Sequence, residues 1–537
     1  MSAERGNLLA CRPRLRAGLG LVGLELVGTT LAALGCGSSE APHDAGLDAA
    51  EDAVVHDDAS ADDAGPRAPF AIPECDVAAD PALGPLRPRC QLLVDDEGRV
   101  VLLRGVNARV EGLFDVSFDD GRAALEPIPD FTDADATRMR ELGLNFLRLP
   151  VSWSALEPTD ESPRAFDETY LARLDAILAI CRAHGIHVLV DFHQDAYSKE
   201  IGEDGAPLWA IAPAPSELLG GPLDDLGARR SSPQVLAAFD TFFGDAEPGP
   251  MLRGRFAEAV VHVAEALRGD TTVVGLEIYN EPVSTDAEAR RLNEAVAAAV
   301  RRADPARLVF FEPPALPRNV TDRAMLATSP FAVNGAVYAP HSYTLAFVGT
   351  EAQRRSFTRE TLRESHANAV REAASWGTPL VIGEWGYDPA GTRADEYYAL
   401  EVDLMDEHAE SWALWVWKEQ SQGSWGVHAY DATTDTWSER EVVVRAITRP
   451  RPERIAGWPR HFGFDAARGV LEVRYRGESD VVSPTLVYLP LAASSFAVSC
   501  DGTAIEGLAR DASTGLVAIP CAGPGEHTVL VTGLDGL

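Results

Sequence analysis

Two short segments hold the residues best suited to chemistry. Asn280-Glu281-Pro282 follows the apolar run Gly275-Leu276-Glu277-Ile278-Tyr279, and Glu384 stands in Val381-Ile382-Gly383-Glu384-Trp385-Gly386. A carboxylate just past an apolar strand is held on a rigid support, and strand ends are where barrel enzymes place reacting groups. Two carboxyl groups about 5–5.5 Å apart can cleave a glycosidic bond with retention, one attacking the anomeric carbon and one delivering a proton. The plainer alternative for either residue alone is a solvated loop charge or an ion-pair partner.

The elements that must bring these two residues together are legible from periodicity. Gln91–Val94, the turn Asp95–Gly98 and Arg99–Leu103 read as a hairpin that runs on into a strand at Arg104–Asn107. Strands then alternate with helices: helix 133–142, strand Asn145–Leu149, helix 167–184, strand Ile186–Asp191, helix 252–268, strand Val273–Tyr279, helix 286–303 and strand Leu308–Glu312. Strand Gly335–Ala339, helix 354–376, strand Leu380–Gly383, helix 393–408 and strand Trp412–Trp417 complete the series. Eight strands with helical connections predict an α/β chain folded as a closed (β/α)8 TIM barrel, spanning residues 73–449. Glu281 and Glu384 then end the fourth and seventh strands, which face each other across the mouth. No Gly-rich phosphate signature follows the first strand, so an open nucleotide-binding sheet is not supported. Residues 193–250 form a long Gly- and Pro-containing connection on the mouth side, a length that usually serves function. Beyond Pro450-Arg451-Pro452 the helical period gives way to short β-rich runs, which predict a small antiparallel β-sandwich over 450–537.

The Asn-Glu-Pro and Gly-Glu-Trp segments resemble glycoside hydrolase family 5. Asp191-Phe192-His193-Gln194-Asp195, Gly205-Ala206-Pro207-Leu208-Trp209-Ala210 and the order of barrel then sandwich are similar to its endoglycoceramidase branch, over about residues 98 to 535. The resemblance implies Glu281 as acid/base, Glu384 as nucleophile and Asn280 as a partner of the sugar 2-hydroxyl. It implies that Arg148 favours the charged form of Glu384, that Tyr343 hydrogen-bonds Glu384 and that His341 neighbours Glu281. His193 and Asp195 would grip sugar hydroxyls, and Trp417 would form the stacking floor, with Trp415 or Trp385 as second candidates. Where the branch carries a lysine that contacts the glucose next to ceramide, this chain offers Arg109, which keeps the charge and changes the geometry. For His193 and Trp417 the alternative is packing alone.

Composition narrows the partners. Lys+Arg total 47 against Asp+Glu 82, a formal net charge of −35, which repels nucleic acid and anionic membrane surfaces alike. Arg12, Arg14 and Arg16 precede an apolar stretch from Ala17 to Leu34, and Leu34-Gly35-Cys36 looks like a bacterial lipobox with Cys36 as the acylated residue. An ordinary cleaved signal or an uncleaved anchor would share most of that pattern. Residues 1–36 are therefore expected to be an export signal and 37–72 a disordered acidic tether, placing an exported lipoprotein in the periplasm, outer membrane or cell surface. Of seven cysteines, Cys75 with Cys90 and Cys500 with Cys521 can pair in an oxidising compartment, while Cys181 falls on the apolar face of a helix. No Cys/His spacing suggests a metal, and the chemistry calls for no cofactor.

The expected function is an endoglycoceramidase-like retaining hydrolase acting on the bond between oligosaccharide and ceramide of a glycosphingolipid. Leu208–Pro213 and Leu345–Val348 can supply an apolar rim for the lipid. A β-glucosidase, glucosylceramidase or endoglucanase of the same family is the alternative on another β-glycoside. A surface lipoprotein that binds glycan without cleaving it is the alternative of another class, and it would not need both carboxylates.

Overall fold

The computed structural model describes residues 72–315, 334–347, 349–420 and 425–537. The expected export signal with Cys36, and all of the expected tether except Ile72, lie outside the described residues.

Eight parallel strands form one sheet in chain order: Arg104–Asn107, Phe146–Val151, His187–Phe192, Val273–Glu277, Leu308–Phe311, Ala336–Tyr338, Val381–Trp385 and Ser411–Leu414. The eighth strand pairs back onto the first, and the parallel bridges Tyr338–Leu380 and Ser342–Trp385 join the sixth to the seventh. The ring is a TIM barrel, as the strand count predicts. Period-two alternation sorts its side chains. Phe146, Leu189, Val274, Phe310, Val337, Val381 and Ala413 fill the interior, whereas Val188, Val190, Leu276 and Val309 pack outward against helical residues such as Leu174, Ile177 and Val260. Toward the mouth the interior positions turn polar, at Asn107, Arg148, Asp191, Glu277, Glu312 and His341, all buried.

Helix starts follow side-chain caps. Asp167 accepts the backbone N–H groups of Thr169 and Tyr170 to open Glu168–Ala183. The single helix expected over 354–376 is two, Glu351–Ser356 and Arg359–Trp376, because Phe357 and Thr358 adopt extended backbone and Thr358 caps the second. The long connection 193–250 is not irregular throughout. It carries the short turn Leu208–Ala210 and helices Leu226–Arg230 and Pro233–Phe243.

The C-terminal domain is antiparallel, with one correction to its expected limits. A five-stranded sheet contains Gly457–Asp465, Val470–Gly477, Gly525–Thr532, Ala497–Cys500 and Thr503–Ile505. The facing six-stranded sheet joins Arg451–Ile455, Thr485–Tyr488 and Leu516–Ile519 to Arg87–Arg89, Leu92–Val94 and Val100–Val101 from the other end of the chain. The barrel domain therefore does not begin at residue 73. The hairpin is apolar on both faces: Leu92, Val94 and Val100 enter the sandwich core with Val487 and Val517, while Leu93 and Val101 close the bottom of the barrel. Cys75–Cys90 and Cys500–Cys521 are disulfides, and Cys181 is a buried free thiol. No helix among the described residues is long and apolar enough to cross a membrane.

Candidate active site

Local backbone irregularities aim the two carboxylates. The register of the seventh strand against the eighth shifts between Ile382 and Trp385, the stretch that contains Glu384. Glu281 has a positive φ of 40°, a left-handed conformation that costs energy for a side-chain-bearing residue. That turn is held by the backbone N–H of Glu281, which donates to Glu312 Oε1 at 3.2 Å, and by Gln194 Nε2, which donates to the carbonyls of Asn280 and Glu281.

The two side chains meet. A Glu281 oxygen, a Glu384 oxygen and a ring nitrogen of His341 all lie within 4.8 Å of one another, the close approach of a retaining pair. Glu384 takes Arg148 at 2.6 Å on one oxygen and the Tyr343 hydroxyl at 2.7 Å on the other. His341 Nδ1 stands 2.8 Å from Glu281 Oε1 and 3.4 Å from Glu384 Oε2. A Cβ at Gly383 would come within 3.2 Å of the His341 ring, so glycine permits that approach. Arg148 also grips both oxygens of Glu277, at 2.8 and 2.9 Å, and donates to Asn280 Oδ1 at 2.8 Å.

The charges are unequal in their surroundings. Burial pushes the Glu281 carboxyl up, yet its hydrogen bond to His341, with Arg230 and His193 nearby, outweighs burial and holds it at about 2. Burial pushes His193 down, but Asp191, Asp204 and Glu384 more than compensate and lift it to about 9. His193 is accordingly a cation at neutral pH, bonded to Asp191 at 2.6 Å. The side chain of Glu281 is 28% exposed against 7% for Glu384, so the former faces the opening and the latter the floor. Two neighbouring carboxyl groups, one at the opening and one gripped by Arg148 and Tyr343, are the equipment for double displacement.

Arg148, Asn280, His193, His341 and Tyr343 gather around the carboxylates, and three expected residues do not. Trp417 is buried, its indole N–H donating to Asp135 on the first barrel helix and its ring edge against His428. Regular alternation ends with the eighth strand at Leu414, so it cannot be extrapolated to Trp417. Trp415, half-buried and a second candidate for the floor, instead stacks on His193 at 5.5 Å. Arg109 lies beneath Phe114 and Trp415 and is claimed by Glu126, Glu203 and Glu419. Its terminal nitrogens are thus taken by three carboxylates. Asp195 is engaged by Arg230 on both oxygens, which places a partly exposed cation near Glu281. Sequence reasoning missed Arg230, and it missed Trp425, which stacks on Phe347 at 5.5 Å and meets Tyr343 beside the nucleophile candidate. Glu277 and Glu312 were also passed over, although both occupy inward strand positions that alternation marks.

Comparison with known proteins agrees with this geometry. The profile described as cellulase (glycosyl hydrolase family 5) matches residues 126–421, and that of the glycoside hydrolase family 5 C-terminal domain matches residues 449–531. Endoglycoceramidase I of Rhodococcus hoagii (strain 103S) is 28% identical over 430 residues, covering 74% of this chain and 78% of its own. A glucosylceramidase of Cryptococcus neoformans var. grubii is 29% identical over 238 residues, covering 35% of this chain and 32% of its own. The structure of endo-glycoceramidase II from Rhodococcus sp. as a lactosyl-enzyme intermediate superposes with a TM-score of 0.66 at 25% identity, covering 82% of this chain and 99% of that one. Fold, carboxylate spacing and both profile matches converge on one conclusion: the chain belongs to glycoside hydrolase family 5 and is a retaining glycoside hydrolase.

Proposed function

We propose that the enzyme is an endoglycoceramidase, releasing the intact oligosaccharide of a glycosphingolipid from ceramide. Glu384 attacks the anomeric carbon while Glu281 protonates the departing ceramide oxygen, leaving a glycosyl ester on Glu384. Glu281, now ionised, takes a proton from water, and the hydroxide equivalent attacks the same carbon and frees Glu384. Asn280 and His193 bind the sugar in the cleaved position against Trp415. The observation that carries this reading is the similarity to endoglycoceramidases along barrel and sandwich together. Apolar side chains at the mouth also support it. Leu208 and Val283, on the segments after the third and fourth strands, and Met251, at the start of the next barrel helix, are exposed and offer a lipid-compatible rim.

A defined glycosphingolipid with at least two sugars tests the proposal: free ceramide and intact glycan should appear together. Sequential release of single terminal sugars would favour the exo-acting glucosylceramidase reading, for which the shorter match to the Cryptococcus protein is the motive. We further propose that the chain is exported and anchored through an acylated Cys36. Cys36→Ser should move the protein from the membrane to the soluble fraction, and an unchanged distribution would overturn the anchor.

A further inference from the structure

Trp425 has no part in the reaction just written, yet it reaches the residue that holds the nucleophile. It belongs to the segment after the eighth strand, and its backbone carbonyl accepts Arg440 Nη1 at 2.5 Å. The same nitrogen reaches the Gly426 carbonyl at 3.1 Å, and the Val427 N–H donates to the Val416 carbonyl at 2.9 Å. The turn is thereby pinned to the end of the barrel, and from it the indole lies across the end of the seventh strand. A Cβ at Gly386, two residues beyond Glu384, would come 3.3 Å from two carbons of the Trp425 ring and 3.0 Å from the Trp415 carbonyl oxygen. The missing side chain at Gly386 lets Trp425 pass over the seventh strand and meet the segment after the sixth.

There it meets Tyr343 and Phe347. Trp425 and Phe347 stack at 5.5 Å, 22° from parallel, and both stand edge-on to the Tyr343 ring, at 6.0 and 5.0 Å. His341 flanks Tyr343 at 6.3 Å, again edge-on. Tyr343 is buried among these rings, while Trp425 and Phe347 are half-buried. The phenol oxygen lies on the axis of its own ring, so spinning the ring about Cβ–Cγ leaves it in place. Only a tilt of the whole ring can take the hydroxyl off Glu384 Oε2, 2.7 Å away. Rings packed against its side oppose that tilt and keep water from competing for the donor. The Ser342 N–H, which donates to the Glu384 carbonyl at 2.8 Å, fixes the backbone ahead of Tyr343 and leaves the direction of its side chain open.

We propose that Trp425, with Phe347, is a positioning residue that holds the Tyr343 hydroxyl on Glu384 and so keeps the attacking carboxylate aimed at the anomeric carbon. The inference rests on Glu384 as the nucleophile. Arg148 and Tyr343 hold one oxygen of Glu384 each, at 2.6 and 2.7 Å. With the phenol displaced, the carboxylate is free to turn about its remaining bond to Arg148, and the geometry of attack is lost. Trp425 touches no reacting atom in this scheme. Its effect on rate passes wholly through Tyr343.

A double-mutant cycle on dinitrophenyl β-lactoside tests this, with kcat/KM reporting attack by the nucleophile. Tyr343→Phe should lower kcat/KM about thirtyfold and Trp425→Ala about tenfold. In the Tyr343→Phe background, Trp425→Ala should cost less than about twofold, because the group it acts through is already gone. Trp425→Phe keeps an aromatic ring against Tyr343 and should stay within about threefold of wild type. A lactoside fluorinated at the carbon beside the anomeric centre traps the glycosyl ester and counts the working sites in each variant, so a smaller folded fraction does not mimic the effect. Losses that multiply in the double variant, or an unimpaired Trp425→Ala, would overturn the proposal. The same label, located by mass spectrometry, separates the two assignments. A label on a residue other than Glu384 removes the nucleophile and the proposal together, whereas a labelled Glu384 with multiplying losses removes only the role of Trp425.

Discussion

The barrel contains two buried histidines, each held between carboxylates, at opposite ends of its strands. At the mouth His341 stands between Glu281 and Glu312, with Glu384 beside it. At the base His366 bonds Glu401 at 3.0 Å and Glu410 at 2.7 Å, with Glu410 just before the eighth strand and Arg104, paired to Asp406, opening the first. The residue types are the same and the pairing is equally tight. Access separates them: Glu281 is 28% exposed, whereas His366, Glu401 and Glu410 are each 1% exposed. A sealed cluster can only contribute to stability, while one with an open member can exchange a proton with a substrate. Perturbed charge alone does not locate function. Perturbed charge at an opening does.

That contrast can be broken by substitution, and the largest effect belongs to the mouth. Glu384→Gln should lower kcat by at least about 10⁴-fold while leaving the thermal midpoint nearly unchanged, as steady-state kinetics and calorimetry would show. Substantial remaining turnover would sink the assignment of Glu384 as nucleophile. At the base the pattern should invert. His366→Ala strands two buried carboxylates and should cost about 3–5 kcal/mol in denaturant unfolding, with kcat of the folded fraction preserved. The two tryptophans sharpen the same line. Trp417→Ala should destabilise by about 3 kcal/mol with kcat/KM intact, whereas Trp415→Ala should lower kcat/KM about tenfold at little cost in stability.

The smallest effect is a pH slope. Burial lowers the His366 pKa, and Glu410 and Glu401 outweigh it and hold it well above 6.5. Because the folded value exceeds the unfolded one, its contribution is whole below about pH 6.5 and drains away as pH rises through the folded value. Unfolding free energy should therefore fall by up to about 1.4 kcal/mol per pH unit above 6.5, and His366→Gln should lack that share of the slope. An unaltered slope in the variant would remove His366 from the account.

Much of this architecture can be read in the chain before any coordinates. Apolar alternation marks the strands, and strand count with helical connections marks the barrel, so Glu281 and Glu384 fall on facing strands by counting alone. The family resemblance adds Arg148, His341 and Tyr343, each of which ends or closely follows an expected strand. Trp417 and Trp415 could not be told apart, since their order depends on where regular backbone stops, a property of packing and not of composition. Arg109 misled because its fate is set by Glu126, Glu203 and Glu419, which come from three separate loops. The origin of the second sandwich sheet was hidden for a related reason. Strands at either end of the chain become neighbours through contacts that no local pattern announces.

Val100–Val101 lies between Leu92–Val94 and Arg451–Ile455 in a single sheet. The ribosome thus makes one edge of that sheet hundreds of residues ahead of its partner, and the amino-terminal hairpin stays half-bonded until nearly all of the polypeptide has emerged. Completion of the native state is deferred to the end of synthesis.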